Sequence, residues 1–398
     1  MKKIIIGLII LLIIVAGCFI YYKNFYNKID SSLVIENEDI KKKDFLNDKQ
    51  AVIYFSSTID QDVDNKGVSY AVFINDKGKA TGYKMKSLEL GTMVNHDNEL
   101  LLADKNKIRL IGNTYKEFKM NKEQHTGDKS GYLEKQKIYF TLFNSGRNEN
   151  GNYDSNVYYG NEKGFKMGNV PYYILTSGVD YNEVPILTQD SVKNKYVLRK
   201  LLISPNKFAL KDIVMLDNKN DLEFDGLSPI ISDKSYYYLI LSEYIDDTNE
   251  NTVLFRINKK TLKQDKFNLI EYKNSDNITA TLPFNTRNSS YIFENKLYYI
   301  DGLGQVITFD TKSNKIEKKF TINNPVTDGV RHGEESFFKN DKLYLTRYDE
   351  KRKDKYYIEI YSLVNGKKLK EINIKGLDKI ISSVKGKSIH SYDFKMLK

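Results

Sequence analysis

Two histidines stand where imidazole can meet carboxylates. His125 lies in the run QHTGDKSGY, three residues before Asp128, and His332 lies in RHGEESFF, just ahead of Glu334 and Glu335. Imidazole nitrogens beside carboxylate oxygens suit a divalent cation or a polar ligand. His125, Asp128, His332, Glu334 and Glu335 are therefore the first candidate binding residues. A second pattern is Asp60-Gln61-Asp62-Val63-Asp64, with Gly67 behind it. Oxygen ligands at every second position can face one ion, which makes Asp60, Asp62 and Asp64 a candidate calcium loop. The glycine comes two residues late for an EF-hand, and the twelfth position is Ala71 rather than Glu. The same residues suit an acidic hairpin tip. No cofactor is expected, calcium being the one this chemistry admits.

Catalytic signatures are missing. The sequence holds no Gly-rich phosphate loop, G-x-S-x-G elbow or zinc-ligand spacing, and its single cysteine lies near the N-terminus. Its carboxylates are too scattered to be paired from sequence into a glycosidase couple.

The elements that must position these residues recur along the chain. Tyr291–Ile322 reads as three short strands parted by Asp-Gly and Ser-Asn turns, the pattern of an antiparallel meander. Phe337–Ile374 repeats it, with Leu343 lying 46 residues after Leu297. Looser copies occupy Ala51–Met85, Glu99–Met120, Tyr132–Met167, Val184–Leu216 and Tyr236–Leu269. A lone meander cannot bury its faces, and seven at this spacing predict an all-β, seven-bladed β-propeller, six or eight blades being the neighbouring counts. The last piece, Ile380–Leu397, is too short for a blade. It is expected to close the ring by pairing with the blade begun near Ala51. Histidines 125 and 332 then fall between successive units, where loops line one mouth of the central channel.

Composition agrees with strands: 30 Tyr, 20 Phe and no Trp in 398 residues. The net charge of +10 falls to +6 for residues 29–398, since Lys2, Lys3, Lys23 and Lys28 precede them. This modest excess suits a solvated surface, or affinity for polyanions such as a teichoic-acid wall or anionic headgroups. No basic helix or stacking motif points to nucleic acid.

Residues 4–22 are apolar without interruption, long enough to cross a bilayer, and Tyr21, Tyr22, Phe25 and Tyr26 would form an interfacial belt. Within the run, Val15-Ala16-Gly17-Cys18 resembles the lipobox of bacterial lipoproteins, which implies lipidation at Cys18. Phe19-Ile20-Tyr21-Tyr22 follows in place of the small polar tether usual there. Signal-anchor and lipoprotein therefore both remain open. The expected organisation is a membrane anchor over 1–28, a polar stalk over 29–48 and the propeller over 49–398, facing the exterior of a Gram-positive type of bacterial envelope.

Two units, Tyr291–Ile322 and Phe337–Ile374, resemble the NKLYYID…G.V..FD hairpin of quinoprotein-like and YVTN-like propellers of bacterial surface proteins. That resemblance implies a fold and transfers no functional residue. The expectation is a non-catalytic propeller, anchored to the cell membrane, that binds an envelope protein or glycan. A propeller hydrolase or lyase on wall or extracellular polysaccharide is the alternative. Exposed members of tyrosine pairs such as Tyr158-Tyr159 and Tyr298-Tyr299 would supply contact surface.

Overall fold

The computed structural model describes residues 12, 14–17, 31–149, 151, 153–190, 195–218, 221–273, 282–322 and 334–398. These form an all-β propeller of seven blades. Blade I combines Lys49–Ser56, Val68–Asn75 and Ala80–Lys86 with the C-terminal strand His390–Met396. Blades II to VII run over 93–119, 126–170, 173–215, 224–272, 290–321 and 335–374. Each is an antiparallel meander from axis to rim, joined at tight turns such as the one around Asn314, whose positive φ of 62° an asparagine tolerates.

Ring closure occurs where the sequence places it. His390–Met396 pairs with Lys49–Ser56 in the register Ala51↔Met396 and Tyr54↔Asp393, and becomes the innermost strand of blade I. The open edges that remain are the outermost strands. They carry exposed lysines, among them Lys84 and Lys86, Lys207 and Lys211, and Lys368 and Lys370, which discourage edge-to-edge pairing.

The hydrophobic core lies between blades. Val157 and Tyr159 of blade III pack with Val184 and Ile186 of blade IV. Ile240 and Leu254 of blade V meet Tyr299 and Ile307 of blade VI, and Tyr298 and Ile300 of blade VI meet Leu343 and Leu345 of blade VII. Middle strands are thus covered on both faces, and each large apolar side chain contributes about 1.5–3 kcal/mol. This corrects the reading of the tyrosine pairs. Tyr158, Tyr159, Tyr298 and Tyr299 are all buried, because the two faces of a blade are both interior.

From residue 31 onward the polar N-terminal segment is no free stalk. Ile35, Ile40, Phe45 and Leu46 are buried in the core of blades I and II, with Phe45 edge-on to Phe73 at 4.9 Å. The Ile35 amide donates to the Gly82 carbonyl (3.0 Å), so the segment covers the rim strand of blade I. Four spaced apolar residues suffice for this despite the charged composition around them.

Blades IV and V are joined tightly at Gly178, which forms a parallel bridge with Ile230. A Cβ there would stand 2.0 Å from the Ile230 carbonyl oxygen. Gly178→Ala is expected to destabilise the protein by about 1–3 kcal/mol, as overpacking does. A denaturant titration checks it, and an unchanged midpoint would refute the tight junction.

Candidate functional site

The inner strands of blades VII, I, II, III, IV and V touch one another in that order around the axis, and blade V reaches blade VI. At this axis the structure brings Asp128 and Glu335 into one polar network.

Asp128 and Lys129 lie on the inner strand Thr126–Leu133 of blade III. The register passes from Gly127↔Phe143 to Ser130↔Thr141, so the pair opposes a single residue. This is a β-bulge, which re-aims side chains that strict alternation would send to opposite faces. A second bulge, at Tyr392, separates Tyr54↔Asp393 from Phe55↔Ser391 in blade I. Asp393 beside it accepts from the Met93 amide (2.7 Å), Asn288 Nδ2 (2.8 Å) and Lys395 Nζ (2.9 Å).

The segment Asn285–Ser289, leading into blade VI, ties these strands together. Asn285 Oδ1 accepts from the Arg287 amide at 2.8 Å, which fixes a local turn. Arg287 Nε donates to the Asp128 carbonyl, and Lys129 Nζ donates to the Arg287 carbonyl at 2.9 Å. Asn285 Nδ2 donates to Glu335 of blade VII, and Ser289 Oγ to the Leu227 carbonyl of blade V at 2.6 Å. Ser177 Oγ of blade IV donates to Asp128 at 2.7 Å. One short segment therefore reaches blades I, III, V and VII directly.

Burial perturbs three of these groups. It raises the Asp128 carboxyl above its usual range, against the pull of Arg287 and Ser177. Burial, then the nearby Asp393 charge, pushes Glu335 up to about 8. Lys129 is pushed down to about 7, first by desolvation and then by Lys395. Perturbed groups clustered on an axis mark a candidate site. Yet the donors and acceptors named here bond to one another rather than to an open cleft, so the arrangement ties blades together and holds protons.

The other candidates lie elsewhere. His125 is exposed, and its carbonyl accepts from the Glu89 amide at 3.1 Å. His332 and Cys18 lie outside the described residues. Glu334 turns away from Glu335, as neighbours on an extended chain do, and is buried against Arg347 Nε at 2.9 Å; Arg347 Nη1 pairs in turn with Glu359 at 2.9 Å. The calcium-loop reading is not supported by the arrangement. Asp62 accepts from Lys105 Nζ and the Gly67 amide, both at 2.7 Å; Asp64 pairs with Lys66 at 3.0 Å; Asp60 is exposed. Lysines and a backbone N–H take the positions an ion would need. Among the described residues no group of three or more His, Cys, Asp or Glu is placed to hold a metal ion. Nor, among them, is any helix long and apolar enough to cross a membrane; most of residues 4–22 fall outside that set.

Sequence reading missed Lys129, Asn285, Arg287, Asn288, Asp393 and Lys395. Their runs, DKS, NTRNSS and YDFK, look like ordinary turn and strand polarity. The usable signal was charge on a strand expected to close the ring, which the structure places at the axis.

Comparison with known proteins adds the following. The family model of the YycP β-propeller domain matches residues 44–397. YycP of Bacillus subtilis (strain 168) is 31% identical over 393 residues, covering 98% of each chain. Among solved structures, BamB of Moraxella catarrhalis aligns with a TM-score of 0.39 at 10% identity, over 70% of this chain and 71% of that one. Apo AztD of Citrobacter koseri gives 0.44 at 10% identity, over 82% and 96%. Sqt1 of Saccharomyces cerevisiae gives 0.45 at 10% identity, over 78% and 80%. At these scores the structural likenesses carry no functional argument.

Proposed function

The chain belongs to the YycP β-propeller family, and on that premise we propose that it is a non-catalytic binding propeller, held on the outer face of the cell membrane by its N-terminal segment. Its role is that of scaffold or accessory subunit, recruiting an envelope protein or another envelope component. The observation that carries this reading is the axial network. Asp128, Glu335 and Asp393, carboxylates at the position where propellers commonly take ligands, are bonded to Ser177, Asn285, Asn288 and Lys395. A glycosidase couple needs about 5–10 Å of sugar-sized space between its carboxyls. Here Arg287 acts electrostatically on both Asp128 and Glu335.

One observation favours a hydrolase or lyase instead: a carboxyl pushed up to about 8 can serve as a general acid. Two measurements separate the readings. In-cell crosslinking, then purification of the full chain from gently solubilised membranes, is expected to recover one envelope component reproducibly; residues 29–398 alone serve as the unanchored control. Incubation of the full chain with wall and extracellular polysaccharides is expected to release no product. Product release that disappears in Glu335→Gln would overturn the non-catalytic reading.

A further inference from the structure

A groove of about 760 Å³ runs along the side of the ring, between the rim of blade I, blade II and the turn after the helix Leu377–Ser382. Lys66, Lys84, Lys86, Lys107, Lys385 and Lys387 line it, together with Arg109. They come from four separate stretches of the chain. Two carboxylates share the lining, and both are committed locally. Asp104 pairs with Arg109 at 2.9 Å, and Glu117 pairs with Arg109 at 3.2 Å and Lys107 at 2.7 Å. Seven cations against two carboxylates leave an excess of five in one groove. The formal excess of residues 29–398 is six, ten less the four lysines before residue 29. Counting Asp64 and Glu123, which reach the groove's lysines from just outside it, seven cations face four carboxylates, and the excess of three is half of that surplus. Some acids stand just outside, Asp64 within 3.0 Å of Lys66 and 3.7 Å of Lys387, and Glu123 within 3.8 Å of Lys86. The Lys66 and Lys86 pairs are largely exposed and yield readily to a stronger anion, whereas Lys387 is mostly covered and also donates to the Gln61 carbonyl.

We propose that this groove binds a linear, non-nucleic polyanion, a polymer bearing phosphates or carboxylates at regular spacing. An open trough lined by cations from several elements follows a chain, whereas a single phosphate needs a closed cradle. A flat bilayer surface cannot enter it. Single-stranded nucleic acid needs exposed aromatic faces for its bases. The two tyrosines of the lining, Tyr70 and Tyr83, are buried. The Tyr83 hydroxyl donates to Asn37 at 3.0 Å, and the Arg109 guanidinium stands over its ring at 5.5 Å. This deepens the envelope-binding role proposed above and rests on it for where such a polymer is met.

The test uses the full chain in neutral detergent, with a fluorescent glycerol-phosphate oligomer as probe and anisotropy as readout. Binding is expected, with a log–log salt slope of roughly −2 to −3.5, as for three to five cations contacting phosphates. Lys84→Glu with Lys86→Glu, both exposed on a rim strand, is expected to weaken binding at least tenfold with unchanged melting. Lys385→Glu, on a different element, weakens it in the same direction. Lys84→Arg with Lys86→Arg retains binding. Three results overturn the proposal: no oligomer binding, equal affinity in the charge-reversed variants, or tighter binding of an oligonucleotide of equal charge. Displacement of the oligomer by inorganic phosphate at equal phosphate concentration also overturns it. If the oligomer fails to bind while crosslinking recovers an envelope protein, the groove proposal alone falls. If the oligomer binds and nothing is recovered in cells, the recruiting role falls and the groove stands.

Discussion

A chain ending at residue 389 is expected to lose the folded ring. His390–Met396 supplies the inner strand of blade I, and without it the Lys49–Ser56 strand, six of whose eight residues are buried, becomes an open edge. Phe394 is fully buried between blades VII and I and packs edge-on to Phe337 at 6.1 Å. Truncating a buried Phe to Ala alone costs about 3–5 kcal/mol. The deletion also removes Met396, Leu397 and the Asp393 side of the axial network, and the total is comparable with the roughly 5–15 kcal/mol that typically separates folded from unfolded chains. Size-exclusion chromatography and limited proteolysis should show aggregation and rapid cleavage. Phe394→Ala should remain folded but melt lower by the smaller amount. A monomeric truncated chain with the melting temperature of the full protein would show that closure contributes little.

The second large effect is a pH dependence carried by Glu335. Its carboxyl rises from an ordinary 4.5 to about 8, first through burial and then through Asp393, against hydrogen bonds from Ser391 and Asn285 and the charge of Arg287. A group whose folded pKa is raised binds more protons when folded. Its stabilising contribution is full below pH 4.5 and is lost as pH rises towards 8. At about 1.4 kcal/mol per pH unit, the loss reaches at most about 5 kcal/mol. Lys129, lowered to about 7, has the opposite sign: its contribution is full above 10.5 and is lost as pH falls through 7. The two together place a stability minimum near pH 7–8. Glu335→Gln, which mimics the protonated acid, should flatten the fall between pH 4.5 and 8. Denaturant midpoints of both proteins across pH 4.5–9 at fixed ionic strength check this. Parallel curves would mean that Glu335 ionises as freely in the fold as outside it.

The ring was legible because blades are local. Each meander carries its own alternation and turn residues, so Tyr291–Ile322 announces three of the four strands of its blade without reference to its neighbours, and the leftover Ile380–Leu397 has one place to go. The axis was not legible. Asp128 and Lys129 sit in a bulge that interrupts the alternation, and Arg287 meets Lys129 from 158 residues away. Residues 31–48 misled for a related reason. Composition averages over the segment, whereas burial depends on whether Ile35, Ile40, Phe45 and Leu46 find a surface. The basic groove assembles from residues 66 to 387, and no sequence window contains it.

The segment Asn285–Ser289 has a consequence for how the molecule yields to change. Because it binds four other blades at the axis, the inner strands open only together, and their amide protons should exchange at the rate of global unfolding. The rim strands, apart from that of blade I, which residues 31–48 cover, are held on one side alone and fray independently. Substitution and insertion are therefore tolerated in proportion to radius: rim hairpins can be lengthened or recharged with little effect on the hub, and new binding surfaces can be built there without disturbing the fold that carries them.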